Sequence, residues 1–428
     1  MRLPGRLSAA IEVLTDIEAR HRPASEALKA WGLANRFAGA GDRAAIGNLV
    51  YDALRKRSSH AFAMQSDTPR ALVLSVAARD WGVTPEELND LFSQDSHAPE
   101  ILSVDEVRAL IAPDPLAAAP DPVRADLPEW ALGHMSLPDI VAEGQAMAAR
   151  PPLDLRVNTL KSSRDKMLKA LDRFGAAPTA ISPLGLRIVA GSGDSRTPNV
   201  QVEEGYLKGQ FEVQDEGSQI VALLAGAAPG EQLLDLCAGA GGKTLALAAA
   251  MQNRGQIFAH DSDRHRLAPI YDRLKRNGVR NVQVRPPGSA EMEALVGKMD
   301  CVLLDAPCTG SGTWRRRPEA KWKLTPEQLA LRVGEQQAIL EDGARYVRPG
   351  GRLLYITCSV LNDENDAQGA GFLARHPEFA PVPLRDRLEA LSPGVSSRVH
   401  RTPTGGIQLT PHATQTDGFY SLLMQRRG

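Results

Sequence analysis

Two cysteines, each just beyond an apolar run, are the residues of this chain best placed to do chemistry. Asp305-Ala306-Pro307-Cys308 follows one such run, and Thr357-Cys358 closes the run GRLLYITC. If both runs are parallel strands, their carboxyl ends bring Cys308, Cys358 and Asp305 to one rim, where open parallel sheets bind ligands. A thiolate beside a carboxyl group suits addition to a poorly reactive ring. Addition to C6 of a cytosine breaks the aromaticity and makes C5 enamine-like, able to take up a sulfonium methyl group. Asp305 is then the group to hydrogen-bond N3 and the exocyclic amine. A base must remove the C5 proton so that the thiol leaves by elimination, and the second cysteine can assist that release. The target base has to leave any stack or pairing to enter such a site. Chemistry alone does not choose which of Cys308 and Cys358 attacks. Cys301, inside a strand, and Cys237, in a glycine loop, read as packing residues.

The methyl donor needs its own loop. The first apolar strand, QLLDLC (232–237), runs into Ala238-Gly239-Ala240-Gly241-Gly242-Lys243-Thr244. A phosphate-binding loop, GxxxxGK[ST], requires a glycine where Cys237 stands. A nicotinamide turn, GxGxxG, lacks its last glycine because Thr244 stands there. A loop that holds a nucleoside and an amino-acid tail without pyrophosphate meets neither objection. The second strand, QIFAHD, ends in Asp261, where a carboxylate accepts both hydroxyls of a ribose.

The elements that must position these residues follow a strand, glycine turn, helix repeat from about residue 216. Apolar strands each followed by an amphipathic helix build a doubly wound, mostly parallel sheet. GIQLTPHATQTDGFYSLLMQR adds two closing strands, antiparallel at the sheet edge. We therefore expect an α/β methyltransferase-type Rossmann-like domain over 216–428. Residues 129–215 read as a small α/β subdomain, with a helix near 138–149, strands LDLRVNTL and LRIV, and a helix over 163–175. Residues 1–128 read as all-helical. Leu7, Ile11, Leu14 and Ile17 recur at helical spacing, Pro23 can open a second helix, and Thr84 and Ser103 look like helix starts. The stretch 112–128, APDPLAAAPDPVRADLP, reads as a linker.

Bulk properties leave the partner open. The net charge of −1 divides into +4 over residues 1–60, −10 over 61–150 and +5 over 151–428, which permits phosphate contacts without demanding them. The long loop after Cys308 carries Arg315, Arg316, Arg317, Lys321 and Trp322. Arginines beside an aromatic suit phosphate contact and base stacking; the plainer reading is a solvated loop with Trp322 as a packing anchor. Arg55, Lys56 and Arg57 read as a charged helix face. Four cysteines without CxxC spacing predict neither a disulfide framework nor a metal site. No run approaches the length of a membrane span. A monomer in a reducing cytoplasm is the expectation.

Three ordered strings, VQDEGSQIVALLAGAAPGEQLLDLCAGAGGKT (213–244), DCVLLDAPCTGSGTWRRRPEAKW (300–322) and LLYITCSVLNDEN (353–365), with DGFY at 417–420, carry a family likeness. Over about residues 150–428 the chain resembles the RsmB/Sun family of RNA 5-methylcytosine methyltransferases. The segment with GDRAAIGNLVYDALRKR is similar to the NusB-like helical domain of the family's ribosomal-RNA branch. The resemblance implies S-adenosylmethionine as cofactor and an RNA partner, 16S ribosomal RNA above others. It makes Cys358 the nucleophile and Cys308 the residue that helps release the product. It maps the cofactor loop onto Cys237, Ala238, Gly239, Ala240, Gly241, Gly242 and Lys243, and the ribose acid onto Asp261. Arg266 braces that region, and Asp305 lies between cofactor and cytosine. The loop departs from the family's CAAPGGKT at Gly239 and Ala240, and 282–292 lacks the aspartate often found near the adenine. The same reaction on transfer RNA, and a non-catalytic RNA-binding assembly factor, are the alternative readings.

Overall fold

The computed structural model describes residues 1–113 and 115–428; Asp114, in the proline-rich stretch read as a linker, lies outside the described residues. The first part is helical. Leu3–Arg20 buries Leu7, Leu14 and Ile17, and Pro23 precedes Ala24–Ala34. Ala40–Arg55 turns Ile46, Leu49 and Val50 into the same core. The two polar starts act as expected. Thr84 Oγ1 accepts from Glu87 N at 3.2 Å while Glu87 Oε2 accepts from Thr84 N at 2.8 Å, and Ser103 and Glu106 repeat the exchange. Each pair satisfies two backbone donors that a helix start leaves open.

The second half of the expected linker is packed structure. Asp121–Arg124 forms a helical turn, and Ala125, Asp126 and Leu127 behind it are buried. Asp126 accepts from Ser59 N at 2.9 Å and Ser59 Oγ at 2.7 Å, fastening the segment to the helical part. Leu127, Ala131 and Met147 pack on Trp314, Leu329 and Leu361 from the far end of the chain. A few apolar residues spaced between prolines give no periodicity, so this docking strip leaves no pattern to read.

Strands β1 (Leu153–Val157), β2 (Ala177–Pro178), β3 (Gly185–Ile188) and β4 (Phe211–Val213) form a small sheet in the order β2-β3-β1-β4. Leu155, Val157 and Leu186 bury one face against Met167 and Leu171 of the helix Arg164–Leu171.

The main sheet holds β5 (Gln232–Asp235), β6 (Gln256–His260), β7 (Val282–Arg285), β8 (Met299–Asp305) and β9 (Val347–Thr357), all parallel to one another. It is completed by β10 (Phe379–Pro381), β11 (His400–Arg401), β12 (Ile407–Leu409) and β13 (Phe419–Arg426), with β13 antiparallel to both β9 and β12. The order is β11-β12-β13-β9-β8-β5-β6-β7, with β10 also on β13. Chain order reverses between β5 and β8, and a crevice opens there beyond the carboxyl ends. Register sets what faces it: Asp235 lies opposite Leu303, and Asp305 opposite Ile356, two residues before Cys358.

Trp314 is buried where the docking strip meets the main domain, and its indole N–H has no partner among the described residues. Its contribution is therefore packing. We expect Trp314→Ala to cost about 3–5 kcal/mol, read as a lower urea midpoint, and Trp314→Phe to recover most of that loss.

Candidate active site

The glycine loop turns at the end of β5. Gly239 has φ +48°, a left-handed conformation that disfavours side chains, and its N–H donates to Asp261 Oδ2 at 2.9 Å. Asp261 Oδ1 accepts from Asp263 N at 2.9 Å, so one buried carboxylate joins the ends of β5 and β6. Arg266 Nη2 stands 3.8 Å from Asp261, a loose contact on the outer side. Two adjoining cavities meet here. One, of about 290 Å³, is lined by Cys237, Ala238, Gly239, Ala240, Gly242, Lys243, Arg266 and Asp305, together with Asp235. The other, of about 520 Å³, is lined by Cys237, Asp261, Arg266, Pro307 and Ile339 among others. Gly241 lines neither and packs on Ile270. Apart from Gly241, the sequence-expected cofactor residues thus gather on one crevice.

Polar groups in this crevice are arranged for a ligand with both charges. Lys243 Nζ sits 2.6 Å from Asp305 Oδ2 and 5.3 Å above the Phe419 ring. Thr244 Oγ1 donates to Asp235 Oδ2 at 2.7 Å, while Asp235 Oδ1 is buried without a partner. Burial pushes the Asp235 carboxyl up to about 7. An orphaned buried oxygen and a glycine-walled cavity fit a polar tail, and the second, partly apolar cavity with Asp261 fits a nucleoside. Sequence reasoning missed Arg273, whose Nη1 donates to Ala240 O at 2.8 Å and whose Nη2 reaches Glu212. Among the described residues no group of three or more potential metal ligands occurs.

Cys308 Sγ and Cys358 Sγ lie 3.3 Å apart. The hydrogen bond to Cys358, and then burial, push the Cys308 thiol well above its usual range. The contact suits a Cys308 thiol that keeps its proton beside the Cys358 sulfur. Burial likewise holds Cys237 well up and Cys301 up to about 11, leaving both as inert thiols. The backbone around Cys358 is stitched to two other segments. Gly312 N donates to Cys358 O at 3.0 Å, and Gly418 N donates to Gly312 O at 2.8 Å. A Cβ on Gly312 would stand 2.0 Å from Gly418 O, so the stitch requires glycine. This is what DGFY contributes, and its glycine alone carries no hint of it.

The arginine loop corrects the sequence reading. Arg315 is buried, with Nε 2.5 Å from Asp417 Oδ1 and Nη2 3.3 Å from Asp215 Oδ2. Arg316 pairs with the same two acids, at 2.6 and 2.9 Å. Lys321 is buried with Nζ on Arg55 O at 2.8 Å, and Trp322 Nε1 donates to Leu54 O at 2.6 Å. Arg55 is itself buried and donates to Arg315 O at 2.8 Å, while Lys56 pairs with Asp80 and Arg57 with Glu18. Arg315, Lys321 and Trp322 are therefore fasteners between the helical part and the main domain, not free RNA contacts. Their partners lie about 100 residues or more away, which no local charge pattern reveals. Arg317 alone of the five is exposed and forms no ion pair among the described residues. With Tyr51, Arg316, Lys323 and Arg332 it lines a groove of about 750 Å³ that runs between the two parts and reaches Cys308.

Residues 222–425 match the family described as 16S rRNA methyltransferase RsmB/F. The probable ribosomal RNA small subunit methyltransferase B of Synechocystis sp. is 33% identical over 304 residues, which make up 68% of this chain and 65% of that relative. The match thus spans under two thirds of the relative's length. The crystal structure of PH0851 superposes with a TM-score of 0.73 at 26% identity, over 100% of this chain and 99% of its own. A methyltransferase homolog protein from Pyrococcus horikoshii gives 0.59 at 26% identity, over 72% of this chain and 97% of its own.

The two kinds of arginine separate by stability. We expect Arg315→Ala to lower the unfolding free energy by about 3–5 kcal/mol, since it leaves buried carboxylates short of a partner. Arg317→Ala should change it by less than about 0.5 kcal/mol. Thermal unfolding of both variants checks this.

Proposed function

We propose that this chain, whose residues 222–425 belong to the RsmB/F methyltransferase family, transfers a methyl group from S-adenosylmethionine to C5 of a cytosine in small-subunit ribosomal RNA. The observation that carries the reading is the sulfur pair: two cysteines 3.3 Å apart, on the turns that follow β8, whose last residue Asp305 lines the glycine crevice, and β9. Such a pair has no use in phosphoryl or hydride transfer, and it suits addition to and elimination from a pyrimidine ring. The ribosomal substrate is drawn from the relatives. The free thiols, and a sulfur pair that would otherwise oxidise, favour a reducing cytoplasm.

S-adenosylmethionine, when bound, supplies an electrophilic methyl group. Gly239, Ala240 and Asp235 are the residues to hold its amino-acid end, and Asp261 its ribose. Cys358 attacks C6 as the thiolate, forming the C6–S bond and pushing the ring electrons towards N3, which takes a proton held between Lys243 and Asp305 and returns it when the thiol leaves. C5 then takes the methyl group. The C5 proton leaves to a base, the C5–C6 double bond re-forms, and the C6–S pair returns to Cys358. Cys308, the protonated thiol at 3.3 Å, donates a hydrogen bond to that sulfur and makes it a better leaving group. The choice of Cys358, not Cys308, as the attacking sulfur rests on the family likeness. The interdomain groove is the path for the nucleotide, with Arg317 free to meet phosphate.

Cys358→Ala should abolish methyl transfer from labelled S-adenosylmethionine while leaving cofactor binding intact. Cys308→Ala should trap a protein–RNA adduct that survives denaturing gels. Turnover by the Cys358 variant, or an adduct formed only by it, overturns the assignment. Arg317→Ala should weaken RNA binding and reduce its salt slope by about one phosphate contact, as measured by filter binding.

A further inference from the structure

Behind the sulfur pair lies a carboxylate that the reaction above does not use. Glu364, at the end of the short turn Asn362–Glu364, is fully buried. A buried carboxylate is tolerated only when its oxygens are well bonded. Oε1 accepts from Thr309 N at 2.8 Å and from Gln336 Nε2 at 2.9 Å, and Oε2 accepts from Thr309 Oγ1 at 2.5 Å. Gln336 Nε2 also donates to Pro307 O at 2.9 Å. The residues on both sides of Cys308 are thereby tied to one Gln336–Glu364 pair. The pair is held from the other side too, since Tyr355 of β9 donates its hydroxyl to Glu364 O at 2.7 Å. Glu364 thus links the turn that carries Cys308 to the strand that ends just before Cys358.

We propose that Glu364 is a positioning residue for product release, fixing the Pro307–Thr309 turn so that the Cys308 thiol stays against the Cys358 sulfur. The proposal rests on the methyl-transfer reading above. In release, the C5 proton passes to water, the C6–S bond breaks, and its electron pair goes to Cys358, where the Cys308 S–H meets it. A Cys308 thiol that drifts or ionises cannot make that hydrogen bond. The negative charge of Glu364 also opposes ionisation of Cys308. The other titratable or charged groups around Cys308 are Cys358 and Tyr355 on the sheet, and Glu26, Arg316, Arg317, Glu319, Lys323 and Arg332 along the groove.

Two variants of the full-length protein test this. Glu364→Ala removes the clamp, and Glu364→Gln keeps its shape and most of its hydrogen bonds without the charge. Single-turnover methyl transfer and the gel-stable adduct are followed together across pH, with thermal unfolding as a control for folding. Glu364→Ala should slow adduct release by about tenfold or more while changing the methyl-transfer burst much less. Glu364→Gln should release normally near neutral pH. Its adduct should then accumulate at a lower pH than in the unaltered protein, because Cys308 loses its proton sooner. Equal loss of burst and release at every pH, or an unchanged pH profile for Glu364→Gln, overturns the proposal. Turnover by Cys358→Ala instead removes the reading on which it rests, so the two failures are distinguishable.

Discussion

The site depends on one constraint: β8 and β9 pair in parallel, in a register that ends them side by side. Parallel pairing puts both carboxyl ends on the same edge of the sheet, and each strand carries a cysteine a few residues past its last apolar position. An antiparallel pairing would send one sulfur to the far edge. Because Asp305 lies opposite Ile356, the turn after β8 and the turn after β9 leave at the same level, and their sulfurs come to 3.3 Å. The stitch from Gly418 through Gly312 to Cys358 O then holds both turns against the antiparallel β13. The closing strand is therefore part of the active-site wall and not merely a sheet edge.

Charge in this chain works inward as much as outward. The pair of arginines at 315 and 316 faces the pair of acids at 215 and 417, and the attraction is set against desolvation: burial, and then the neighbouring Asp215, still push the Asp417 carboxyl up. Burial alone would depress an arginine, yet the two acids raise Arg316 above its ordinary value. Around this cluster, the backbone carbonyls at the end of the helix Ala40–Arg55 receive Lys321 and Trp322. Those carbonyls have no intrahelical partner, so the main domain caps a helix of the other part. Such a joint is specific in orientation. It fixes the groove that leads to Cys308, where Tyr51 of the helical part faces Arg317 and Arg332.

The sequence made the sheet legible because buried parallel strands are apolar almost throughout, and DCVLLD and GRLLYIT read that way without ambiguity. It also placed the glycine loop, Asp261, Asp305 and both cysteines, whose roles depend on position along a strand. It misplaced Arg315, Lys321 and Trp322, because a cluster of cations looks the same whether it meets phosphate or buried carboxylates far along the chain. It was silent on Glu364, Gln336 and Arg273, each of which acts only through a partner on another element. The short strands β2, β4, β10 and β11 were missed as well, being two or three residues long and set by pairing, not by pattern.

The loop shows how a departure from a family's pattern is absorbed. Where the family has alanine and proline, this chain has Gly239 and Ala240, and a stiff turn is lost from the covalent chain. The structure regains it through space. Gly239 takes a left-handed φ in which alanine would be strained, and its N–H is held by Asp261. Ala240, without a proline ring to fix it, has its carbonyl held by Arg273, which Glu212 orients in turn. Glu212 belongs to β4 of the small sheet. The small subdomain thus reaches the cofactor crevice through one arginine, and rigidity that a proline would supply locally comes here from a contact between domains.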